Sequence, residues 1–488
     1  MTTVSTHHIR NVKEKGTATT RVALQGSRVG FLSRLRLVLL GAFLLLLSST
    51  VQAQFTFTTN NGAITVSGYD CSGGDVVLPS TFNGMPVTSI GNYAFWACGS
   101  LTNVTIPSSV TNIGNAAFAI CVNLTNVTMG GGVKTIGDHA FYHCNSLTNF
   151  TIPSSVTSIG KYSFKCDNLI MVTIGSGVTN MAHTAFSECP RLIAVGVHTN
   201  NPSYSSLDGV LFDKSQSSLI CFPGGKTGSY TVPSTVSSIG DSAFIYTVLT
   251  NVVIGGSITD IGSAAFLSSS LVSVTISNGV KSIGATAFAS CTNLGSVTIP
   301  NSVTNVGYAA FHNCTDLTSA TLGDGITTIK QGVFEACYSL ATITIPASVT
   351  NIEIVAFSYC HSLTSIYFQG NAPHIDDYFV FYNHQGAIAY YLPGTTGWDD
   401  FAVLGDISTG LWVPRMETND GSFGVKADGF GFNISWASGQ NVVVEACTNL
   451  LNPEWQPLQT NTLTGASAYF SDSHWINYPG RLYRVRSP

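Results

Sequence analysis

Charged side chains are scarce in this sequence. Asp, Glu, Lys and Arg make up only 9% of the 488 residues, whereas globular domains contain about 25%. This scarcity excludes a charge-rich disordered chain, a long charged coiled coil and a polybasic nucleic-acid binder. Seven of the 20 basic residues but only one of the 25 acidic residues lie in residues 1–53, so the rest of the chain is net acidic. We therefore expect neither nucleic acid nor an anionic membrane as a partner.

Catalytic motifs are also missing. The sequence has no G-x-S-x-G, H-E-x-x-H or phosphate-binding loop and no C-x-x-C pair, which are patterns that would indicate a nucleophile, a metal or a nucleotide site. His139 and His143 are four residues apart, but they flank Phe141 in a short polar segment, which favours exposed turn residues over metal ligands. The sequence thus predicts no enzyme, no cofactor and no metal site.

One long apolar run is present, near the start of the chain. Arg34 and Arg36 precede the eleven apolar or small residues 37–47, and Val51-Gln52-Ala53 follows. This pattern predicts a signal peptide over residues 1–53, cleaved after Ala53, because a retained anchor needs roughly 18 apolar residues. Residues 1–30 are long for a leader, which favours a start codon further downstream. We expect an exported protein, extracellular or at the cell surface, with no membrane span after cleavage.

A repeat dominates what remains. The string Ile113-Gly114-x-x-Ala117-Phe118-x-x-Cys121 returns in variant form along the chain, and its phenylalanines recur every 22 or 23 residues with one gap of 58. A fixed period of this length is the signature of a solenoid. The phenylalanine anchors are Phe95, Phe118, Phe141, Phe164, Phe186, Phe244, Phe266, Phe288, Phe311, Phe334 and Phe357.

Each repeat can be interpreted physically. Leu101, Val104 and Ile106 have the spacing of a short strand with one apolar face, and Pro107 ends that strand. A second short extended segment ends at Gly114, and Ala117-Phe118-x-x-Cys121 has room for about one helical turn. One unit cannot bury its apolar side alone, so neighbouring units must stack.

The repeated string L-x-x-V-x-I-P-x-S-V-x-x-I-G-x-x-A-F-x-x-C resembles the BspA-like class of bacterial leucine-rich repeats, over about residues 87–381. The resemblance implies a repeat solenoid with short parallel β-strands and short helical turns. It also implies export or surface attachment and, for several members, adhesion to host proteins or other cells. It supplies no catalytic residue.

Departures from the repeat suggest the domain organisation. We predict an N-terminal β cap over residues 54–86 and a solenoid over 87–410. Within the solenoid, the gap between Phe186 and Phe244 predicts a hairpin insert at about 196–228, and residues 382–410 should cap the core. Alternating Phe430, Phe432 and Ile434 predict a small all-β C-terminal module over residues 411–488.

Twelve cysteines in an exported chain raise the question of disulfides. Eight of them fall in the same slot after the phenylalanine: Cys98, Cys121, Cys144, Cys189, Cys291, Cys314, Cys337 and Cys360. Stacked neighbours would lie about 5 Å apart, within bridging distance, but their side chains should run parallel. We expect buried free thiols that act as small apolar filler, with a ladder of disulfides as the alternative.

The best functional lead is the set of outward residues that flank the central apolar residue of each strand. These short hydroxyls and amides would form uncharged parallel columns on the concave face and suit a protein or glycan surface as the partner. The alternative is that threonine serves strand propensity and solubility alone. The candidates are Asn103, Thr105, Asn126, Thr128, Asn149, Thr151, Ser296, Thr298, Ser319, Thr321, Thr342 and Thr344.

The sequence thus predicts an exported, non-catalytic scaffold that binds protein or carbohydrate in the manner of an adhesin. A structural component of the cell envelope or extracellular matrix, without a dedicated ligand, is the alternative.

Overall fold

The structure is a computed structural model that describes residues 54–437, 439–449 and 453–488. The predicted signal peptide lies outside these residues.

Parallel strands stack into a first column, here called column A. Most of its strands follow the repeated leucine, and within each sheet of the column a strand pairs with the strand of the next coil, as Asn103 does with Asn126. Column A is divided into four sheets. Its strands are Asp75–Val77, Asn103–Ile106, Asn126–Met129, Asn149–Ile152, Met171–Ile174, Ala194–Val197, Gly228–Thr231, Leu249–Ile254, Ser273–Ile276, Ser296–Thr298, Ser319–Thr321, Thr342–Ile345, Ser365–Phe368, Ile388–Tyr391 and Ser408–Leu411.

A second column, column B, contains the shorter strands that precede the repeated glycine. Each glycine faces the backbone of the preceding coil, so that a Cβ on Gly114 would overlap the backbone of Gly91 and Asn92. The strands of column B are Met85–Ile90, Asn112–Ile113, Thr135–Ile136, Ser158–Ile159, Asn180–Met181, Ser218–Cys221, Ser238–Ile239, Asp260–Ile261, Ser282–Ile283, Asn305–Val306, Thr328–Ile329, Asn351–Ile352 and His374–Ile375.

The Ala-Phe-x-x-Cys segments form a third column, which consists of turns. Alternate amides bond to the next coil, as Phe118 N does to Ala140 O at 2.8 Å, while Cys121 N bonds within its own turn to Phe118 O. Ala116 and Ile120 adopt positive φ angles of 52° and 63°, which a continuous helix does not allow. The predicted leucine-rich-repeat solenoid is therefore confirmed, but its turns are not helical, because bonds to the next coil replace helical ones.

Phenylalanine rings stack from coil to coil inside the solenoid in two runs, from Phe95 to Phe186 and from Phe222 to Phe381. Phe311 is fully buried and stacks on Phe288 and Phe334, with centroid distances of 5.2 and 5.6 Å. The stack also contains two rings outside the regular spacing: Phe222 packs on Phe244, and Phe381 packs on Phe357. Burying rings of this size supplies much of the stability of a core.

The cysteine prediction is confirmed for seven of the eight named positions and wrong for Cys98. The seven are free and buried, whereas Cys98 forms a disulfide with Cys71 of the N-terminal segment. The seven thiols also do more than fill space. Each donates a hydrogen bond to the phenylalanine carbonyl one coil earlier, as Cys121 Sγ does to Phe95 O at 3.0 Å and Cys291 Sγ to Phe266 O at 3.1 Å. Cys98 belongs to the first repeat, so no phenylalanine of an earlier repeat can accept a hydrogen bond from its thiol. It forms a disulfide with Cys71 instead.

The ends of the solenoid and the insert have their own elements. At the N-terminus, Phe55–Asn60 pairs antiparallel with Ala63–Tyr69, and Thr81–Phe82 pairs with Met85–Ile90. In the insert, Tyr204–Leu207 and Val210–Asp213 form an antiparallel hairpin that joins Ser218–Cys221.

At the C-terminal end of the solenoid, the α-helix Trp398–Gly405 covers the last coil. Phe401 of this helix is 5.3 Å from Phe368 and 5.9 Å from Phe381, ring to ring. A 3₁₀ helix, Tyr378–Phe381, precedes it, and the carboxylate of Asp377 accepts the first amide of that helix.

Two antiparallel sheets form the C-terminal module. One contains Arg415–Glu417, Gly424–Lys426, Gly429–Ser435 and Ser467–Asp472, and the other contains Asn441–Cys447, Gln456–Thr462 and Leu482–Arg486. Phe432 and Phe470 of the first sheet and Val442 and Val444 of the second share one apolar core, so the predicted all-β module is confirmed. A 3₁₀ helix, Trp475–Asn477, lies between the last two strands.

Among the residues that the structure describes, no helix has the length and apolar character needed to cross a membrane.

Candidate binding surface

The twelve candidate residues all lie on column A and point away from the core. Strand alternation explains this placement, because neighbours such as Val104 and Val297 are buried between them. Asn103 and Thr344 are half-buried, and the other ten are exposed.

The candidates align from coil to coil. Ser296 pairs in register with Ser319 and then with Thr342, and Thr298 pairs with Thr321 and then with Thr344. Parallel strands lie about 4.8 Å apart. The last three candidate coils therefore present two straight rows of hydroxyl groups at that interval.

Most of these hydroxyl groups make no hydrogen bond to other described residues. Within the described part of the chain, the structure gives no side-chain hydrogen bond to the following eight: Thr105, Thr151, Ser296, Thr298, Ser319, Thr321, Thr342 and Thr344. The asparagines differ, since Asn103 donates to Asp75 and Asn149 donates to Thr148. A ligand can therefore bond to the hydroxyls without displacing a contact within the protein.

One charged group stands at the start of column A. Asp75 pairs in register with Asn103, and hydrogen bonds from the side chains of Asn103 and Thr102 hold the pKa of Asp75 below its ordinary value. None of the twelve candidates is ionisable, so the rows beyond Asp75 keep the same charge across the ordinary pH range.

The rows are not continuous along the whole solenoid. Met171 and Val253 occupy outward positions and are 45% and 40% exposed, respectively. The rows also contain polar members outside the sequence-predicted set, among them Thr173 on the strand of Met171, and Ser273 and Thr275 on the strand after Val253. Their fixed offset from the repeated isoleucine is the sequence signal that identifies them.

Aromatic rings end the rows at the C-terminal side. Thr344 pairs with Tyr367, which pairs with Tyr390. The two tyrosine rings stack at 5.3 Å, and Trp412 lies 4.8 Å from Tyr367. These rings were not among the sequence-predicted candidates, although Tyr367 and Tyr390 hold the same strand position as the threonines.

The described residues contain no group of three or more His, Cys, Asp or Glu side chains that could hold a metal ion. His139 and His143 are half-buried rather than exposed. His139 stacks on Tyr162 at 5.5 Å, and His143 contacts the ring of Tyr142.

One known family matches a large part of the chain. The family model described as "BspA type Leucine rich repeat region (6 copies)" matches residues 88–218, 218–314 and 259–388. A comparison with curated proteins gives no match.

Several solved structures resemble the chain. The pneumococcal vaccine antigen PcpA is 19% identical, with a TM-score of 0.54 over 73% of this chain and 96% of its own. A leucine-rich repeat protein from Eubacterium ventriosum is 24% identical, with a TM-score of 0.49 over 68% and 94%. One from Bacteroides ovatus is 26% identical, with a TM-score of 0.45 over 73% and 98%. The likeness to PcpA supports the fold alone.

Proposed function

Because the chain belongs to the family of BspA-type leucine-rich repeat proteins, we propose that it is an exported, non-catalytic scaffold that binds a protein or carbohydrate surface through column A. Leucine-rich repeat scaffolds generally have no catalytic activity, and they typically bind proteins. Nucleic acid is not a partner in this proposal, since the chain after residue 53 is net acidic.

The observation that carries the proposal is the pair of hydroxyl rows on column A. Thr298, Thr321 and Thr344 are uncharged and in register, and a hydroxyl costs far less to remove from water than a charged group. Contacts of one kind repeat from coil to coil, so individually weak contacts add up over the length of the rows. The aromatic rings of Tyr367 and Tyr390 supply apolar contact area at the end of the rows.

Export is part of the proposal. It rests on the basic flank, the short apolar run and the small residues before Gln54, and proteins of this family are typically secreted or found at the bacterial surface. Sequencing the N-terminus of secreted material should give Gln54 as the first residue.

The decisive experiment places charge in one row. The substitutions Thr298→Lys, Thr321→Lys and Thr344→Lys, made together, place three positively charged side chains on adjacent strands about 4.8 Å apart. Binding of the chain 54–488 to cell-surface extracts and to immobilised glycans should be abolished. Circular dichroism should remain that of the folded chain, because Thr298 and Thr321 are exposed, the half-buried Thr344 also points away from the core, and surface substitutions usually change stability by about 0.5 kcal/mol or less.

The matched control adds the same charge to the same three coils on another side. Thr304, Thr327 and Thr350 are exposed and lie just before strands of column B, so their replacement by lysine should leave binding intact. Equal loss in both triple variants would indicate a general effect of charge. Full binding by the column A variant, or no binding by the parent chain, would contradict the proposal, and the latter would favour the structural alternative.

A further inference from the structure

A polar cleft opens between the two sheets of the C-terminal module. Its walls come from the strand Gln456–Thr462 of one sheet, from the strand Ser467–Asp472 of the other and from the segment 473–481 that follows. The volume of the cleft is about 280 Å³. Leu458 and Phe470 supply its apolar lining, and the other lining residues are polar or, like Tyr478, partly polar.

A buried carboxylate organises the cleft. Asp472 is 7% exposed and accepts three hydrogen bonds: from Arg481 Nη1 at 2.6 Å, from the hydroxyl of Tyr483 at 2.9 Å and from the amide of His474 at 2.9 Å. Three donors from separate points of the chain fix the carboxylate and, with it, the guanidinium group.

Arg481 is fixed in position, but not all of its N–H groups have a hydrogen-bond partner among the described residues. Its side chain is 10% exposed, and its guanidinium carbon lies 4.2 Å from the centre of the Tyr478 ring. Nη1 bonds to Asp472, whereas Nε is buried and has no partner among the described residues. A buried donor without a partner is unfavourable, and a purely structural ion pair would require neither this unpaired donor nor an open cleft beside it.

The chemistry of the lining indicates the class of ligand. Asp472 and Arg481 neutralise each other, so the cleft does not favour a free anion. Gln459 and His474 on the exposed side offer both donors and acceptors, and Tyr478, 42% exposed, offers an aromatic face. A ring with adjacent hydroxyl groups and an apolar C–H face matches these groups together.

We propose that this cleft is a second binding site, separate from column A, which takes a single neutral sugar unit of a saccharide. Arg481 donates to ring or hydroxyl oxygens, Gln459 and His474 bond to further hydroxyls, and Tyr478 packs against the sugar ring.

Saturation-transfer NMR on the chain 54–488, which is one compact unit, tests this site. The probes are the methyl glycosides of glucose, galactose, mannose and N-acetylglucosamine at millimolar concentration, with inorganic phosphate and acetate as anionic competitors. At least one glycoside should receive saturation, and neither anion should displace it. Gln459→Ala and Arg481→Lys should each remove the signal.

Two controls keep the test specific. Ile476 is 74% exposed and belongs to the same segment but does not line the cleft, so Ile476→Ala should retain the signal. The column A triple lysine variant should retain it too, which separates this site from the proposed function. If Arg481→Lys alters near-ultraviolet circular dichroism, Gln459→Ala alone decides the result. No transfer to any glycoside, a signal that persists in the folded cleft variants, or displacement by phosphate or acetate would overturn the proposal.

Discussion

The ring of Phe311 provides the sharpest test of the solenoid core. Phe311 is fully buried between Phe288 and Phe334, with centroids 5.2 and 5.6 Å away. Replacing a buried phenylalanine with alanine costs about 3–5 kcal/mol, and the cost is highest where the surroundings cannot collapse into the cavity. The strand and turn ladders fix the spacing of the neighbouring coils, so we expect Phe311→Ala to cost about 4–5 kcal/mol.

Guanidinium unfolding and hydrogen exchange together measure this effect. A loss of about 4 kcal/mol lowers the ratio of folded to unfolded chains roughly a thousandfold. Because each coil contacts only its neighbours, exchange should accelerate most in the coils of Phe288, Phe311 and Phe334. Phe311→Leu, which leaves a smaller cavity, should lose less.

Thr321→Ala is the matched control, since Thr321 is exposed on column A one strand after Phe311. It should change the free energy of unfolding by about 0.5 kcal/mol or less. Equal effects of Phe311→Ala and Thr321→Ala, or fast exchange confined to distant coils, would refute the assigned register.

Three further outcomes are expected. The nine free thiols of the solenoid should resist alkylation in the folded chain and react after unfolding, as counted by mass spectrometry, because burial raises the pKa of Cys121 to about 12 and shifts the pKa of the other eight in the same direction. Hydrogen bonds, first from Arg486 and then from Arg484, hold the pKa of Glu445 below its ordinary value. Its contribution is therefore complete above pH 4.5 and is lost as the pH falls further, so Glu445→Gln should flatten the acid dependence of the module's melting temperature. Gly132→Ala should lower the melting temperature because its Cβ would overlap the carbonyl oxygen of Ser108, whereas Gly131→Ala, with open space around its Cβ, should have no effect.

The repeat period made the core predictable. Leu101, Val104 and Phe118 are buried at the positions that the spacing indicates, because stacking coils of constant length forces equivalent side chains into one line. The turn geometry was not predictable in this way. Ala116 and Ile120 have positive φ angles, which residue preference assigns to glycine, and bonds to the next coil override that preference.

Contacts made by residues that do not belong to the repeat could not be predicted from the repeat period. Phe222 joins the phenylalanine stack from within the insert, and Cys71 bridges to Cys98 from the N-terminal segment. On the candidate surface, alternation along the strand placed Thr298 and Thr321 correctly on the outside. The pairing of Asp472 with Arg481 depends on how two sheets pack, which no short motif encodes.

The hydrogen bonds between coils affect which changes in the number of coils the fold can accommodate during evolution. In a central coil, the cysteine thiol bonds backwards, as Cys337 does to Phe311 O, and the phenylalanine amide bonds forwards, as Phe334 N does to Ala356 O. A duplicated coil would meet the same acceptors on both sides, so gaining or losing a whole coil leaves no buried group unpaired. Cys98, bonded to Cys71 instead, shows that the first coil is not interchangeable in this way. Gene duplication can therefore lengthen or shorten the middle of the solenoid at little energetic cost, while its ends must be inherited intact.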